Sequence, residues 1–234
     1  YTLSLHDALP ILTSELFPWV RGGPQVVVYN LAKRLVRKVE LEMICIPPPG
    51  ELHLRDHYPA DIKLLPVNDP SIGGVRYLHR NVAFVQRARR ASRPDVVHFH
   101  ILPGANCFAL PMLLKRSGLP LVLSIYDWVP DELPYYGYVE RVRHVAHWSL
   151  ARRGLGLFDR FIVNSAYMQE VAVANGLGNV EIIPNGINAR EWRDIEGLRE
   201  KQTPFIFFWG KLYEKKGVER LIRAFAACRR ERAG

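Results

Sequence analysis

Short apolar runs alternate with longer amphipathic stretches along most of the chain. Leu41–Ile46, Ile62–Leu65, Asp95–His100, Leu119–Asp127, Phe158–Ser165 and Val180–Ile183 are rich in aliphatic and β-branched residues and are predicted to be strands. A further strand ends near Leu12. Between them, helical spacing of apolar residues predicts helices over Pro24–Arg37, Gly74–Ala91, Ala105–Arg116, Val139–Leu155 and Ala166–Ala174. Val26, Val27, Tyr29, Leu31 and Leu35 lie on the first of these, and Val142, Val145 and Trp148 form the apolar side of Val139–Leu155. Strands separated by helices must run parallel, because each crossover returns the chain to the same sheet edge. The pattern therefore predicts an α/β fold: a Rossmann-like parallel sheet with helices on both faces.

The end of the chain repeats this unit once more. Phe205–Trp209 is continuously apolar and reads as a strand buried on both faces. Val218 to Phe225 has helical spacing, and the loop between them holds Gly210, Lys211, Lys215, Lys216 and Gly217. A strand, a glycine-lysine loop and a helix N-terminus bring backbone amides and ammonium groups to one point, which suits a diphosphate. The same residues also fit a solvated lysine cluster capping a βα unit.

Composition narrows the classes. A chain of 234 residues with 48% hydrophobic content can bury a sizeable core. The formal charge of +9 suits an anionic partner. Nucleic acid is disfavoured, because the arginines spread over many helices and no recognition motif appears. Three scattered cysteines, Cys45, Cys107 and Cys228, indicate neither a disulfide framework nor a zinc site, and a reducing, cytoplasmic compartment is expected. Arg76, Arg80, Arg87, Arg89 and Arg90 share one face of the predicted Gly74–Ala91 helix. A solvated face is the plainer reading of that helix, and peripheral contact with an anionic membrane is the sharper one.

Candidate chemistry gathers at predicted strand ends. Gly22-Gly23 precedes the first helix, where backbone amides can approach a phosphate or a sugar. Alternation puts His98 and His100 on one strand face, with His100 at the carboxyl end, where open α/β sheets bind ligands. His98 reads as a hydrogen-bonded core residue. No further ligands at metal spacing accompany the pair, so no metal is expected. Tyr126 and Asp127 end the next strand. Trp128, Asp131, Glu132 and Tyr135 then form an aromatic and acidic loop. Rings cover the apolar faces of sugars and carboxylates accept hydroxyl hydrogen bonds, although a loop tethered by its own aromatics has the same composition. Ser165 is placed to cap the helix Ala166–Ala174, and Pro184-Asn185-Gly186 reads as a corner with its glycine at positive φ.

Gly210-Lys211-Leu212 followed by Lys216-Gly217 resembles the G-R-L…K-G signature of retaining glycosyltransferases of family 4, with Lys211 in place of Arg. Asp95–His100 is similar to the family's D-V-V-H-x-H strand, Phe158–Ser165 to its A-D-x-V-I-x-x-S element, and Pro184–Asn188 to its P-N-G-V-D turn. Ser124–Asp127 departs from T-x-H-D by having Tyr126 where the family has histidine, which puts that histidine's role in doubt here. The resemblance implies the N-terminal half of a GT-B fold plus the first β-α unit of a second Rossmann-like domain. It also implies transfer of a sugar from a nucleotide diphosphate sugar to a carbohydrate or lipid-linked acceptor, with retention and without metal or cofactor.

On that reading Gly22, Gly23, Gly210, Lys211 and Lys216 bind the donor diphosphate. His100, Tyr126 and Asp127 are the catalytic candidates, and Trp128, Asp131, Glu132 and Tyr135 bind the acceptor. Residues 1–11 resemble a translated sequencing adapter, with Leu9 and Ile11 standing in for the start of the first strand. Residues 12–188 are expected to form the first domain, 189–202 a linker, and 203–234 the truncated start of the donor domain, leaving this fragment inactive. The rival readings are another enzyme on the same fold, such as a sugar-nucleotide epimerase or a phosphorylase, and a non-catalytic α/β module that binds sugars or nucleotides.

Overall fold

The structure, a computed structural model, describes residues 8–13, 22–45, 56–66, 94–100, 106–132, 134, 137–189, 205–210, 212 and 214–233. The strands are β1 (Ala8–Thr13), β2 (Glu40–Cys45), β3 (Lys63–Pro66), β4 (Val97–Phe99), β5 (Leu121–Ile125), β6 (Arg160–Val163) and β7 (Val180–Ile182). The helices are α1 (Gly23–Leu35), α2 (Asn106–Lys115), the single turn α3 (Val129–Glu132), α4 (Tyr138–Leu155), α5 (Ala166–Ala174) and α6 (Val218–Ala233). The predicted Gly74–Ala91 helix and residues 190–202 of the expected linker lie outside the described residues.

The seven strands form one parallel sheet in the order β3-β2-β1-β4-β5-β6-β7. The chain winds outward from β1 in one direction and from β4 in the other. The crevice at the carboxyl ends of β1 and β4 is thus a topological switch point, the place where such sheets bind ligands. Residues 8–11, set aside in the sequence reading, make up most of β1, and Ile11 is fully buried between β2 and β4.

Period-two alternation sorts the strand residues onto two faces. Ile11, Met43 and Leu64 are in register and meet Val28 and Ala32 of α1 on one face. Phe99, Leu123 and Phe161 are in register on the other and meet Leu114 of α2, and Trp148 and Leu155 of α4. Burying a side chain such as Leu123 contributes roughly 1.5–3 kcal/mol. α1, α2 and α4 therefore each have a strand-facing stripe, and two of those stripes differ from the sequence expectation. On α1 the buried positions are Gln25, Val28 and Ala32, and Val26 faces outward. On α4 the buried positions among the described side chains are Ala151, Gly154 and Leu155, whereas Val142 and Val145 are exposed. In both helices apolar residues flank the true stripe, so periodicity alone does not single out the buried face.

The local punctuation follows known chemistry. Ser165 caps α5, its Oγ accepting from the Met168 N–H at 3.3 Å. Lys33 and Arg34 occupy the last turn of α1, where cations favour the helix dipole. Glu42 and Lys63 pair across β2 and β3 at directly opposed positions. Gly186 is not among the described glycines with positive φ, so the corner after β7 turns without the left-handed geometry expected of it. Phe205–Trp209 forms no strand among the described residues. Phe205, Phe207 and Trp209 are 60%, 70% and 82% exposed, which is not the burial of a strand covered on both faces.

Asp159 ties β5 to the start of β6. Its Oδ2 accepts the Leu121 N–H at 2.8 Å, its own N–H donates to the Leu121 carbonyl at 2.9 Å, and Lys115 at the end of α2 pairs with the carboxylate. Partial burial pushes the carboxyl upward, but the bonds from Lys115 and Leu121 outweigh it and hold Asp159 below its ordinary value. Asp159→Ala should cost about 1–2 kcal/mol in urea unfolding through loss of the charge-assisted backbone bond. Lys115→Met, which removes an exposed ion pair, should cost less than about 1 kcal/mol. Equal costs would show that the backbone bond is not the larger contribution.

Candidate active site

β4 and β5 bring four polar side chains together beside the switch point. The register pairs His98 with Val122, so His98 and His100 share a sheet face with Ser124 and Tyr126. Each histidine reaches two positions further along β5. His98 Nε2 lies 2.9 Å from Ser124 Oγ, and His100 Nδ1 lies 2.7 Å from the Tyr126 hydroxyl. The histidine rings lie against each other with centroids 4.0 Å apart, tilted by 37°. On the opposite faces of the same strands, Phe99, Leu121, Leu123 and Ile125 are buried in apolar contacts.

Burial governs the electrostatics of this cluster. His98 is pushed down to about 4 by desolvation, and His100 well below its ordinary value by desolvation and then by His98. Burial pushes Tyr126 up to about 12, against a smaller downward pull from Ser124. All four groups are therefore neutral at physiological pH. His100 is 1% exposed, and its Nε2 has no hydrogen-bond partner among the described residues. Leaving such an atom unpaired costs about 1–3 kcal/mol, a cost that a ligand at the crevice would relieve.

The other candidates are distributed unevenly. Gly22 is the N-cap of α1 with φ −118°, and Pro24 fills the first turn, where its missing N–H costs nothing. A Cβ on Gly22 would come within 2.2 Å of Gln25 Oε1, whereas one on Gly23 would meet nothing within 4 Å. Because α1 follows β1 in the winding order, its N-terminus lies at the same sheet edge as His100. Asp127 is exposed at the end of β5. Trp128 departs from the expectation of an open sugar platform. It is 4% exposed and packs edge-on against Trp148 with centroids 4.8 Å apart, because the short helix α3 turns the ring into the core. Asp131 is exposed and accepts from the Tyr167 hydroxyl at 3.1 Å. Glu132 ends α3, and its side chain, like Tyr135 and Lys211, lies outside the described residues.

Lys216 is exposed at the end of a 3-10 turn, Glu214–Lys216, that leads into α6. Gly217, between the two, has φ 68°, and Gly210 has φ 155° with the Phe208 ring 3.3 Å from the place of a Cβ. The two glycines thus serve the backbone path itself. Neither hydrophobic cluster of the sheet includes a residue of 205–233. Among the described residues no group of three or more His, Cys, Asp or Glu could hold a metal ion. Ser124 was the member of the cluster that sequence reasoning missed. Its signal was available as alternation in Leu121-Val-Leu-Ser-Ile-Tyr126, where the polar residues fall on the phase opposite to Leu121, Leu123 and Ile125.

The buried histidines make stability depend on pH. A His98 value near 4 in the folded chain against 6.5 in the unfolded chain means that the unfolded state binds more protons between those limits. Stability should be fully present above pH 6.5 and fall toward pH 4, by about 3 kcal/mol from His98 and further from His100 in the same direction. Urea midpoints across this range should drop steeply, and less steeply in His98→Leu. A flat profile would contradict the burial of neutral imidazoles.

Comparison with known proteins agrees with this architecture. The family model described as Glycosyltransferase Family 4 matches residues 21–191, well over half of the chain. WaaG, a glycosyltransferase involved in lipopolysaccharide biosynthesis, superposes with a TM-score of 0.53 at 17% identity, over 83% of this chain and 52% of its own. UGT71G1 of Medicago truncatula, complexed with UDP-glucose, superposes with a TM-score of 0.50 at 10% identity, over 76% of this chain and 51% of its own. At such identities the likeness speaks for the Rossmann-like GT-B fold, and the chain spans about half the length of these neighbours. No curated protein matches it in sequence. The switch-point sheet and the span of the family match together show that the chain belongs to glycosyltransferase family 4.

Proposed function

We propose that this chain is the acceptor-side half of an enzyme that moves a sugar from a nucleotide diphosphate sugar to an acceptor, with retention and without metal or cofactor. One observation carries the reading. A buried, neutral imidazole whose Nε2 has no partner among the described residues sits at the sheet's switch point, at the same edge as the glycine-rich N-terminus of α1.

In this reading the amides at Gly22 and Gly23 and the ammonium groups of Lys211 and Lys216 meet the donor diphosphate from two sides, with Gly210 shaping the loop. Positive charge there stabilises the charge that grows on the departing diphosphate, so it acts most strongly in the transition state. His100 and Tyr126 orient the sugar, and Asp127 lies beside them toward the acceptor. Asp131, Glu132 and Tyr135 line the acceptor side, while Trp128 supports that loop from within. Because the neighbours are about twice as long, turnover is assigned to the parent enzyme and not to this segment alone.

A second surface bears on the acceptor. The outward side of α4 carries exposed Tyr138, Val139, Val142 and Val145 together with Arg141, Arg152 and Arg153. An apolar stripe beside guanidinium groups suits the surface of an anionic bilayer, and with it a lipid-linked acceptor. No helix among the described residues is long and apolar enough to cross a membrane, so this contact is peripheral.

In the parent enzyme, Lys216→Ala should weaken nucleotide-sugar binding about 10- to 100-fold, the effect of losing one charge-assisted contact. Unchanged donor affinity and turnover would remove the diphosphate role. In vesicle sedimentation the chain should bind phosphatidylglycerol-containing vesicles and not phosphatidylcholine ones, and Val142→Asp with Val145→Asp should abolish that binding. Equal binding by the double variant would remove α4 from the contact.

A further inference from the structure

We propose that the Tyr126 hydroxyl holds His100 in a single tautomer, so that its Nε2 is a standing N–H donor for an uncharged oxygen of the ligand.

The argument is one of counting hydrogens. A neutral imidazole carries one N–H and one lone pair on its two nitrogens, and each hydroxyl has one hydrogen to give. Ser124 touches His98 at 2.9 Å, and Tyr126 touches His100 at 2.7 Å. Each contact has one donor and one acceptor, so naming the donor fixes the tautomer of its imidazole.

The direction follows from which proton is held most loosely. A phenol is the strongest acid of the four groups and imidazole nitrogen the strongest base, and their contact is the shorter of the two measured. Tyr126 therefore donates to His100 Nδ1. With Nδ1 of His100 occupied as acceptor, its hydrogen lies on Nε2, the atom that has no partner among the described residues. Tyr126 is then a positioning residue that acts on the ligand through His100.

The donor has a preference built into its surroundings. All four groups are neutral, and a phosphate buried against them would carry an uncompensated charge. A sugar hydroxyl oxygen meets the N–H without that cost. This ligand class rests on the glycosyltransferase reading of the cleft. The tautomer does not, because it is a property of the free chain.

Long-range proton–nitrogen correlation spectra of the chain labelled at histidine nitrogens should show His100 with the hydrogen on Nε2. Tyr126→Phe should release His100 from that state while leaving His98 unchanged. Ser124→Ala should perturb His98 and leave His100 in that state. Glucose added to saturation should move the His100 Nε2 signal, and inorganic phosphate should not. A hydrogen found on His100 Nδ1, or His100 shifts untouched by Tyr126→Phe, would overturn the tautomer. Movement with phosphate in place of glucose, or with neither, would overturn the ligand class, and none of these outcomes depends on transferase activity.

Discussion

The parallel register of β4 on β5 is the constraint from which the candidate site follows. Pairing His98 with Val122 sends every second residue of both strands to one face, so two histidines, a serine and a tyrosine meet while Phe99, Leu123 and Ile125 are buried on the other face. A slip of one residue would exchange the two sets and bury aromatic and aliphatic groups where the polar row now lies. The apolar face makes that slip costly, since each buried leucine or phenylalanine contributes on the order of 2 kcal/mol. The core thus holds the chemistry in place from behind.

Burying four polar side chains opposes folding unless they satisfy one another, and here they do so in two pairs, His98 with Ser124 and His100 with Tyr126. Among the described residues His100 Nε2, nearest the carboxyl edge of the sheet, has no partner. Packing from behind gives that atom a fixed position. Such preorganisation lets a hydrogen bond act on a substrate without first displacing solvent from the protein group.

The segment from 205 to 233 follows different rules. Its aromatic residues lie largely exposed and its glycines serve the backbone path, whereas the sheet of residues 8–182 buries a core on both faces. Lys216 and Gly217 still keep a defined arrangement, because the 3-10 turn, the left-handed glycine and the start of α6 are local and need no distant partner.

That contrast separates what the sequence by itself determined from what only the tertiary structure decided. Features set by neighbours along the chain were legible. The parallel α/β order, the Ser165 cap, the pairing of His98 and His100 on one face, and the place of His100 at the carboxyl end of its strand all depend on periodicities of two or 3.6 and on local hydrogen bonds. Features set by contacts across the sheet were not. Whether Val142 or Leu155 faces the core, whether Trp128 covers a sugar or Trp148, and whether Phe205–Trp209 finds strand partners depend on elements far away in sequence. Ser124 stands between the two. Its alternation was visible, but the imidazole that gives the hydroxyl a purpose arrives from 26 residues earlier, through a register that only the folded sheet imposes.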